Sequence, residues 1–294
     1  MIMSTGRQVA VVDVPQLDLR LARDRTGRTR LARRRSRYPY VVLRPFWFGD
    51  QPEGIATLIL QSGSGGMYGG EVLGQRFVLD ANAAAHITTQ AAAVVHAARN
   101  MGPTVQHIEV EVGPAAHLEY VADPAILFPG AILHQELQAD LGQDGVLIYA
   151  DGIVRHDPGP EDRSFGQYAS RLTVRACDGT LLVHDATVID GRGFDHALAR
   201  DRCGWSATGL VLVAAPGRAS DHVDWCAQVN LGLESLGAVA GKVAYASCGP
   251  LPNEAGVACR VVARDGQALR QTLEATWRTL RQAVTGSPAP RSRK

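Results

Sequence analysis

Between about Val41 and Val188 the chain repeats one pattern: a short run of alternating apolar and polar residues, closed by Gly, Pro, Asn or Asp at intervals of about ten residues. This rhythm constrains the fold more than any other feature, because a period of two buries one side of a run and wets the other only if the run is a strand. The clearest run is Val105 to Val112, with Ile108, Val110 and Val112 on one face and His107, Glu109 and Glu111 on the other. Val72–Leu79, His86–Gln90, His117–Val121, Ala131–Leu141, Gly145–Arg155, Tyr168–Arg175 and Leu181–Ile189 read the same way. No helical pattern of useful length separates successive runs, which argues against alternating strand and helix and for a sandwich, a barrel or a solenoid of stacked sheets. The chain reads as mainly β, in stacked two-layer, solenoid-like sheets.

Helical periodicity appears only late. Ser220 to Ser235 carries an imperfect stripe of Val223, Cys226, Ala227, Leu231 and Leu233, with Ser220 as its expected cap. Gln267 to Val284 is better, with Leu269, Leu273, Thr276, Trp277, Leu280 and Val284 at spacings of three or four. Between them, Val239–Ser247 and Gly256–Ala263 read as a final strand pair joined through Gly249 to Asn253. With no linker in the middle of the chain, residues 1–285 form a single expected domain and 286–294 an expected disordered tail.

A chain of 294 residues, 46% of them hydrophobic, can bury a sizeable core. Its net charge of +1 creates no overall field toward nucleic acid or an anionic membrane. Nine arginines crowd between Arg20 and Arg37, interleaved with Leu19, Leu21 and Leu31. Because the whole chain has 28 arginines against Lys242 and Lys294, the cluster is read as compositional bias rather than a phosphate grip. Met1 to Asp13 lacks a secretory pattern and no apolar run reaches the ~20 residues of a membrane span, so a cytoplasmic protein is expected. The five cysteines, Cys177, Cys203, Cys226, Cys248 and Cys259, contain no Cys-x-x-Cys pair and read as buried thiols.

Catalytic apparatus is hard to find. Gly237 to Lys242 falls one residue short of a phosphate loop, and there is no His-Glu-x-x-His, Gly-x-Ser-x-Gly or His-x-His. What remains is a scatter of His86, His96, His107, His117 and His134 at strand-like spacing. By parity His86, Thr88 and Gln90 share a face, as do His107, Glu109 and Glu111, and His117 and Glu119. Stacked strands could gather these imidazoles and carboxylates along one wall able to pass a divalent cation, though wet faces of half-exposed strands look the same. The expected transient metal ligands are therefore His107, Glu109, Glu111, His117 and Glu119. A rival is a polysaccharide-active enzyme using Glu109, Glu119 and Asp140 as acid and base. Asp123 to Gly130, with Pro124 and Pro129 around Ile126, Leu127 and Phe128, reads either as a rigid loop presenting an apolar patch or as a plug in the protein's own core.

Four motifs in order carry a resemblance. They are Gly65-Gly66-Met67-Tyr68-Gly69-Gly70-Glu71, then Thr88-Thr89-Gln90-Ala91-Ala92, then Ile126, Phe128, Gly130, Ala131 and Gln135, and finally Leu251-Pro252-Asn253 with Arg260. In these the chain resembles the urease accessory protein UreD family, also called UreH, over nearly its whole length. It departs from the family at Ala93 to Arg99, which lacks a usual lysine and aromatic, and in the loop Arg155 to Phe165. The resemblance implies a non-catalytic, predominantly β maturation factor that binds the urease apoprotein, UreF and the GTPase UreG, and along which nickel travels. It implies no tightly bound cofactor, only transient Ni²⁺. The implied family-motif and partner-binding residues are Gly65, Gly66, Gly70, Glu71, Thr88, Thr89, Gln90, Phe128 and Gln135. A scaffold that never touches nickel is the other reading.

Overall fold

A computed structural model describes residues 14–48, 54–194, 204–236 and 243–290. Met1–Asp13, Gly237–Lys242, Cys203 and residues 291–294, on which some of the readings above fall, lie outside the described residues.

Two β-sheets face each other. The first contains β1 (Leu17–Arg23), β2 (Thr29–Ser36), β5 (Val72–Leu79), β8 (Thr104–Val112), β11 (Ile132–Leu141), β13 (Gln167–Ala176) and β14 (Leu181–Asp190), in the order β14-β13-β11-β8-β5-β1-β2. The second contains β3 (Tyr40–Val42), β4 (Ala56–Ser62), β6 (Ala84–Thr89), β9 (His117–Val121), β12 (Val146–Arg155), β15 (Ala207–Ala214), β16 (Ala244–Pro250) and β17 (Gly256–Ala263), in the order β16-β17-β15-β12-β9-β6-β4-β3. Two short strands, β7 (Val94–Val95) and β10 (Ala125–Leu127), pair with each other, and β10 also pairs with β12.

From β4 to β13 the long strands alternate between the two sheets, and within each sheet successive turns pair in parallel. A parallel pair needs a long crossover, and here the crossover is a strand of the opposite sheet rather than a helix. The result is a β-solenoid closed by antiparallel strands, β2 and β3 at one end and β14 to β17 at the other.

Register stacks equivalent positions on one another. Phe77 pairs with Val110, Val110 with Ala139, and Ala139 with Val174, and this row points into the core against Leu58, Ile87, Leu118 and Leu212. The two sheets differ on their outer sides. The helices His222–Ser235 and Gly266–Thr285 cover the second sheet, so seven consecutive residues of β12, Leu147 to Ile153, are buried. The first sheet has no such cover among the described residues, which is why β8 and β11 keep a clean alternation of buried and wet positions.

The C-terminal helix follows its sequence stripe: Leu269, Leu273, Thr276, Trp277, Leu280 and Val284 are all buried. Asp265 caps it by accepting from the Ala268 backbone N–H at 2.8 Å, and Gly286, at φ +71°, ends it in the left-handed conformation. Past it, the Pro290 carbonyl accepts from Arg278 Nη1 at 2.7 Å.

The first helix departs from its expected stripe. Its buried residues are His222, Trp225, Cys226, Val229 and Leu233, whereas Val223 and Leu231 are exposed, and Ser220 caps nothing but lies in a preceding 3₁₀ turn, bonded to Asp221. The neighbouring strands impose a face that the weak periodicity did not specify. Asp123–Gly130 likewise settles as a plug rather than an exposed patch, with Ala125 and Leu127 buried against Met67, Val95 and Ile153. Strands β1, β2, β4 and β15 were not anticipated, although Leu17, Leu19 and Leu21 alternate within β1 and are wholly buried.

Trp277 is fully buried between the helix and the second sheet. Trp277→Ala should destabilise the chain by about 3–5 kcal/mol in urea unfolding, the usual cost of emptying such a site.

Candidate functional site

The predicted metal residues sit on two different walls. Glu119 and His117 project from β9 toward the helices, on the outer face of the second sheet. Glu119 is fully buried. Its Oε2 accepts from Trp277 Nε1 at 3.1 Å and Arg281 Nη1 at 3.0 Å and lies 2.9 Å from His86 Nδ1, while Oε1 lies 2.9 Å from His117 Nε2. Burial alone would push this carboxyl up, but the hydrogen bonds and charges of His117 and His86 outweigh it and hold the group well below the usual carboxylate range. With an arginine already on its oxygen, Glu119 is an anchor for the C-terminal helix, and a cation there would face Arg281 at close range.

His107, Glu109 and Glu111 occupy the opposite exterior, on the outer face of the first sheet. Arg76 Nη2 pairs with Glu111 at 2.5 Å and its Nε lies 3.9 Å from Glu109, while His107 lies 3.7 Å from Glu136. The structure therefore does not bring His107, Glu109 and Glu111 together with His117 and Glu119. The same separation parts Glu109 and Asp140 from Glu119, so the three carboxylates of the glycosidase reading do not share a cleft. Among the described residues no three His, Cys, Asp or Glu side chains cluster so as to hold a metal ion.

The interior is different. The inward parity that delivers Phe77, Ile108, Leu137 and Leu118 to the core delivers polar side chains nearer one end of the same strands: Gln75, Gln106, Gln135, Tyr120, Tyr149 and Asp151. A cavity of ≈ 270 Å³ opens between the sheets there, and its lining joins the interior to the motif loops through Gly65, Gly66, Thr89, Gln90 and Asp123. A tight space of ≈ 50 Å³ follows, sharing Tyr149 and Asp151 with the first and reaching Tyr168, Asp185 and Arg260. A third, of ≈ 300 Å³, shares Asp185, Leu210 and Arg260 with the second and reaches Leu251, Pro252 and Asn253. The three spaces form a file between the sheets, with the first motifs at one end and the last motif at the other.

Asp151 is the carboxylate at the junction. Its Oδ2 accepts from Gln135 Nε2 at 2.8 Å and from the Tyr168 hydroxyl at 2.9 Å, and Gln135 also donates to the Tyr149 hydroxyl at 2.9 Å. Gln75 links the hydroxyls of Tyr40 and Tyr120, each at 3.0 Å. Burial pushes Asp151 above the ordinary carboxylate range despite the donors around it. It also raises Tyr149 and Tyr168 well above a phenol's usual value and pushes Tyr40 up to about 12.

The remaining motif residues serve this architecture. A Cβ on Gly66, at φ +149°, would meet the Val94 carbonyl at 2.6 Å, so the loop can close over the cavity rim only with glycine. Gly70, at φ +81°, similarly approaches the Met101 carbonyl. Glu71 accepts from the Tyr68 N–H at 2.8 Å. Thr88 turns outward and donates to the Val121 carbonyl at 2.7 Å, Thr89 accepts from the Asp123 N–H at 2.8 Å, and Phe128 packs between His96 and His156. Sequence reasoning singled out Gln135 but missed Asp151, Tyr149, Tyr168 and Gln75. Their signal was polar residues at positions of inward parity, where an aliphatic residue is the norm.

The chain matches the family model described as UreD urease accessory protein over residues 14–294. It belongs to the UreD family. Similar relatives include urease accessory protein UreD 1 of Bradyrhizobium sp. strain BTAi1, 37% identical with 91% of each chain covered. Another is UreD 1 of Methylorubrum extorquens strain PA1, 33% identical with 92% of this chain and 89% of the relative covered. A more distant one is UreD 1 of Pseudomonas syringae pv. tomato, at 28%. No helix among the described residues is long and apolar enough to cross a membrane.

The two sets of carboxylates should respond differently to mutation. Glu119→Ala leaves Arg281 in the interior without its carboxylate and should cost about 3–5 kcal/mol, whereas Glu111→Ala on the wet face should cost under about 0.5 kcal/mol. Because the folded-state pKa of Glu119 is depressed, its contribution is complete above the unfolded value of about 4.3 and is lost as pH falls below it. Urea titrations at pH 7 and pH 3 should show the wild-type advantage over Glu119→Ala shrinking at the lower pH.

Proposed function

We propose that this chain acts in urease maturation, binding the urease apoprotein together with UreF and the GTPase UreG, and that it assists nickel delivery by letting the ion pass through the file of cavities between its sheets. The observation that carries this reading is the junction at Asp151, where two cavities meet at a buried carboxylate that accepts from the Gln135 amide N–H and the Tyr168 hydroxyl. A single carboxylate can hold a divalent cation in passing without the closed nitrogen and sulfur coordination that would trap it. Because burial raises the proton affinity of Asp151, proton and ion compete for one site. This route replaces the outer walls expected from strand parity, since those lie on opposite exteriors. No catalytic step is assigned to the chain, and relatives that share its family carry the name of urease accessory proteins.

Asp151→Asn tests the reading. The raised folded-state pKa means that the neutral acid is the form the fold favours; that contribution is complete below the unfolded value and is lost as pH rises through the folded one. The amide variant should therefore be at least as stable as wild type at pH 7. Expressed in place of the wild type alongside urease, UreF and UreG, it should still co-purify with them. The nickel content and activity of the urease should fall about tenfold, the loss of one charge-assisted contact of about 1.4 kcal/mol. Unchanged nickel content would leave a scaffold and remove the conduit, and failure of the wild type to co-purify with urease would remove the whole reading.

A further inference from the structure

The arginine cluster near the start of the chain is unexplained by the cavities. Residues 14–48 hold ten arginines against Asp18 and Asp24, a local charge of +8 in a chain whose net charge is +1, so the remainder carries −7. A preference for arginine over lysine can be compositional, but this segregation of charge is a property of place. The structure puts it on an edge. β2 is the last strand of the first sheet, and β3, the last strand of the second, lies beside it, its Tyr40 and Val42 carbonyls accepting from the Ser36 hydroxyl and Arg34 Nη1. No described strand pairs with the outer side of either.

The described neighbouring groups leave the edge open along most of its length. Among the described residues only the Thr29 end is covered, its N–H donating to the Gly54 carbonyl and its own carbonyl accepting from Trp47 Nε1. The residues from Arg30 to Ser36 are exposed apart from half-buried Leu31. Some of the charge is spent within the protein: Arg20 pairs with Asp80, Arg30 with Asp24 and Arg33 with Asp18. Arg25, Arg28, Arg35, Arg37 and Arg44 are exposed and make no ion pair among the described residues. Beside them stand large exposed apolar side chains, Tyr38 at 69%, Val41 at 44%, Leu43 at 46% and Phe46 at 40%.

We infer that the β2 edge is a docking site for an acidic, extended segment of a partner protein, which adds as a strand and sets its carboxylates against Arg35 and Arg37. An unpaired strand edge presents alternating donors and acceptors, and only another polypeptide backbone satisfies both. A nucleic-acid backbone offers phosphate acceptors to the N–H groups and leaves the carbonyls unmatched. A long polyanion would also be repelled by the net −7 that the rest of the chain carries. A second copy of this chain is disfavoured for the complementary reason, because two β2 edges would oppose arginine to arginine. Acidic side chains alternating with β-branched residues meet the arginines on one side and the apolar group on the other.

The test uses the full chain and a fluorescein-labelled decapeptide of alternating glutamate and valine, followed by anisotropy. Binding should weaken about tenfold between roughly 50 and 300 mM salt. It should fall at least about tenfold in Arg35→Glu/Arg37→Glu, two exposed positions whose change leaves the core untouched. A peptide N-methylated at alternate residues keeps the charge but cannot complete the ladder, and it should bind far more weakly to the wild type. This arm holds even if the double variant folds poorly. Equal binding of the N-methylated and parent peptides would overturn strand addition. Tighter binding of a single-stranded RNA or of phosphatidylserine vesicles than of the peptide, or undiminished binding by the double variant, would overturn the acidic-strand partner.

Discussion

Parallel, in-register stacking governs this molecule. When each turn of the solenoid repeats the register of the last, a residue on one strand lies directly above its equivalent on the next, and every inward position becomes part of a continuous row. Rows of Phe77, Val110, Ala139 and Val174 make a dry core. Displaced along the same strands, rows containing Gln106, Gln135, Tyr149 and Asp151 leave polar space. One constraint thus produces both the stability of the sandwich and the polar cavities within it, because a change of residue type along a strand is amplified into a zone that crosses the whole stack.

Two buried carboxylates show how environment divides roles among like groups. Glu119 is surrounded by donors and by Arg281, remains ionised, and fastens the C-terminal helix to β6 and β9. Asp151 is also buried, but its partners are an amide and phenols, and its proton is held more tightly than usual. The first arrangement suits a permanent tie, and the second suits a group that exchanges what it binds. Charge on the exterior follows a third rule: the arginines of β2 are exposed, and water screens them at low cost.

Much of the architecture was legible in the alternation itself. Val105–Val112 and the runs up to β14 announced their strands, and Leu269, Leu273 and Trp277 announced the C-terminal helix. Strand β1 was obscured because its arginines and aspartate sit between leucines that alternate perfectly. The stripe of the first helix differs from the expected one because its register is set by packing on β16 and on the C-terminal helix, not by its own weak periodicity. Within the site, Gln135 stood out as part of a motif, while Tyr149 and Asp151 lie in an apolar run, Val146 to Val154, where nothing local marks them as meeting across two sheets.

What the sequence determined by itself was parity: which residues of each strand share a face, and therefore that His107, Glu109 and Glu111 belong together, as do His117 and Glu119. What only the tertiary structure decided was which face is inside, which is covered by helix and which is bare. Periodicity fixes a side chain's orientation relative to its neighbours along the strand, but burial depends on what the opposite side of the sheet meets. That choice turned Glu119 from a metal candidate into an anchor, left Glu109 and Glu111 in water, and placed Asp151 in the lining of two adjoining cavities.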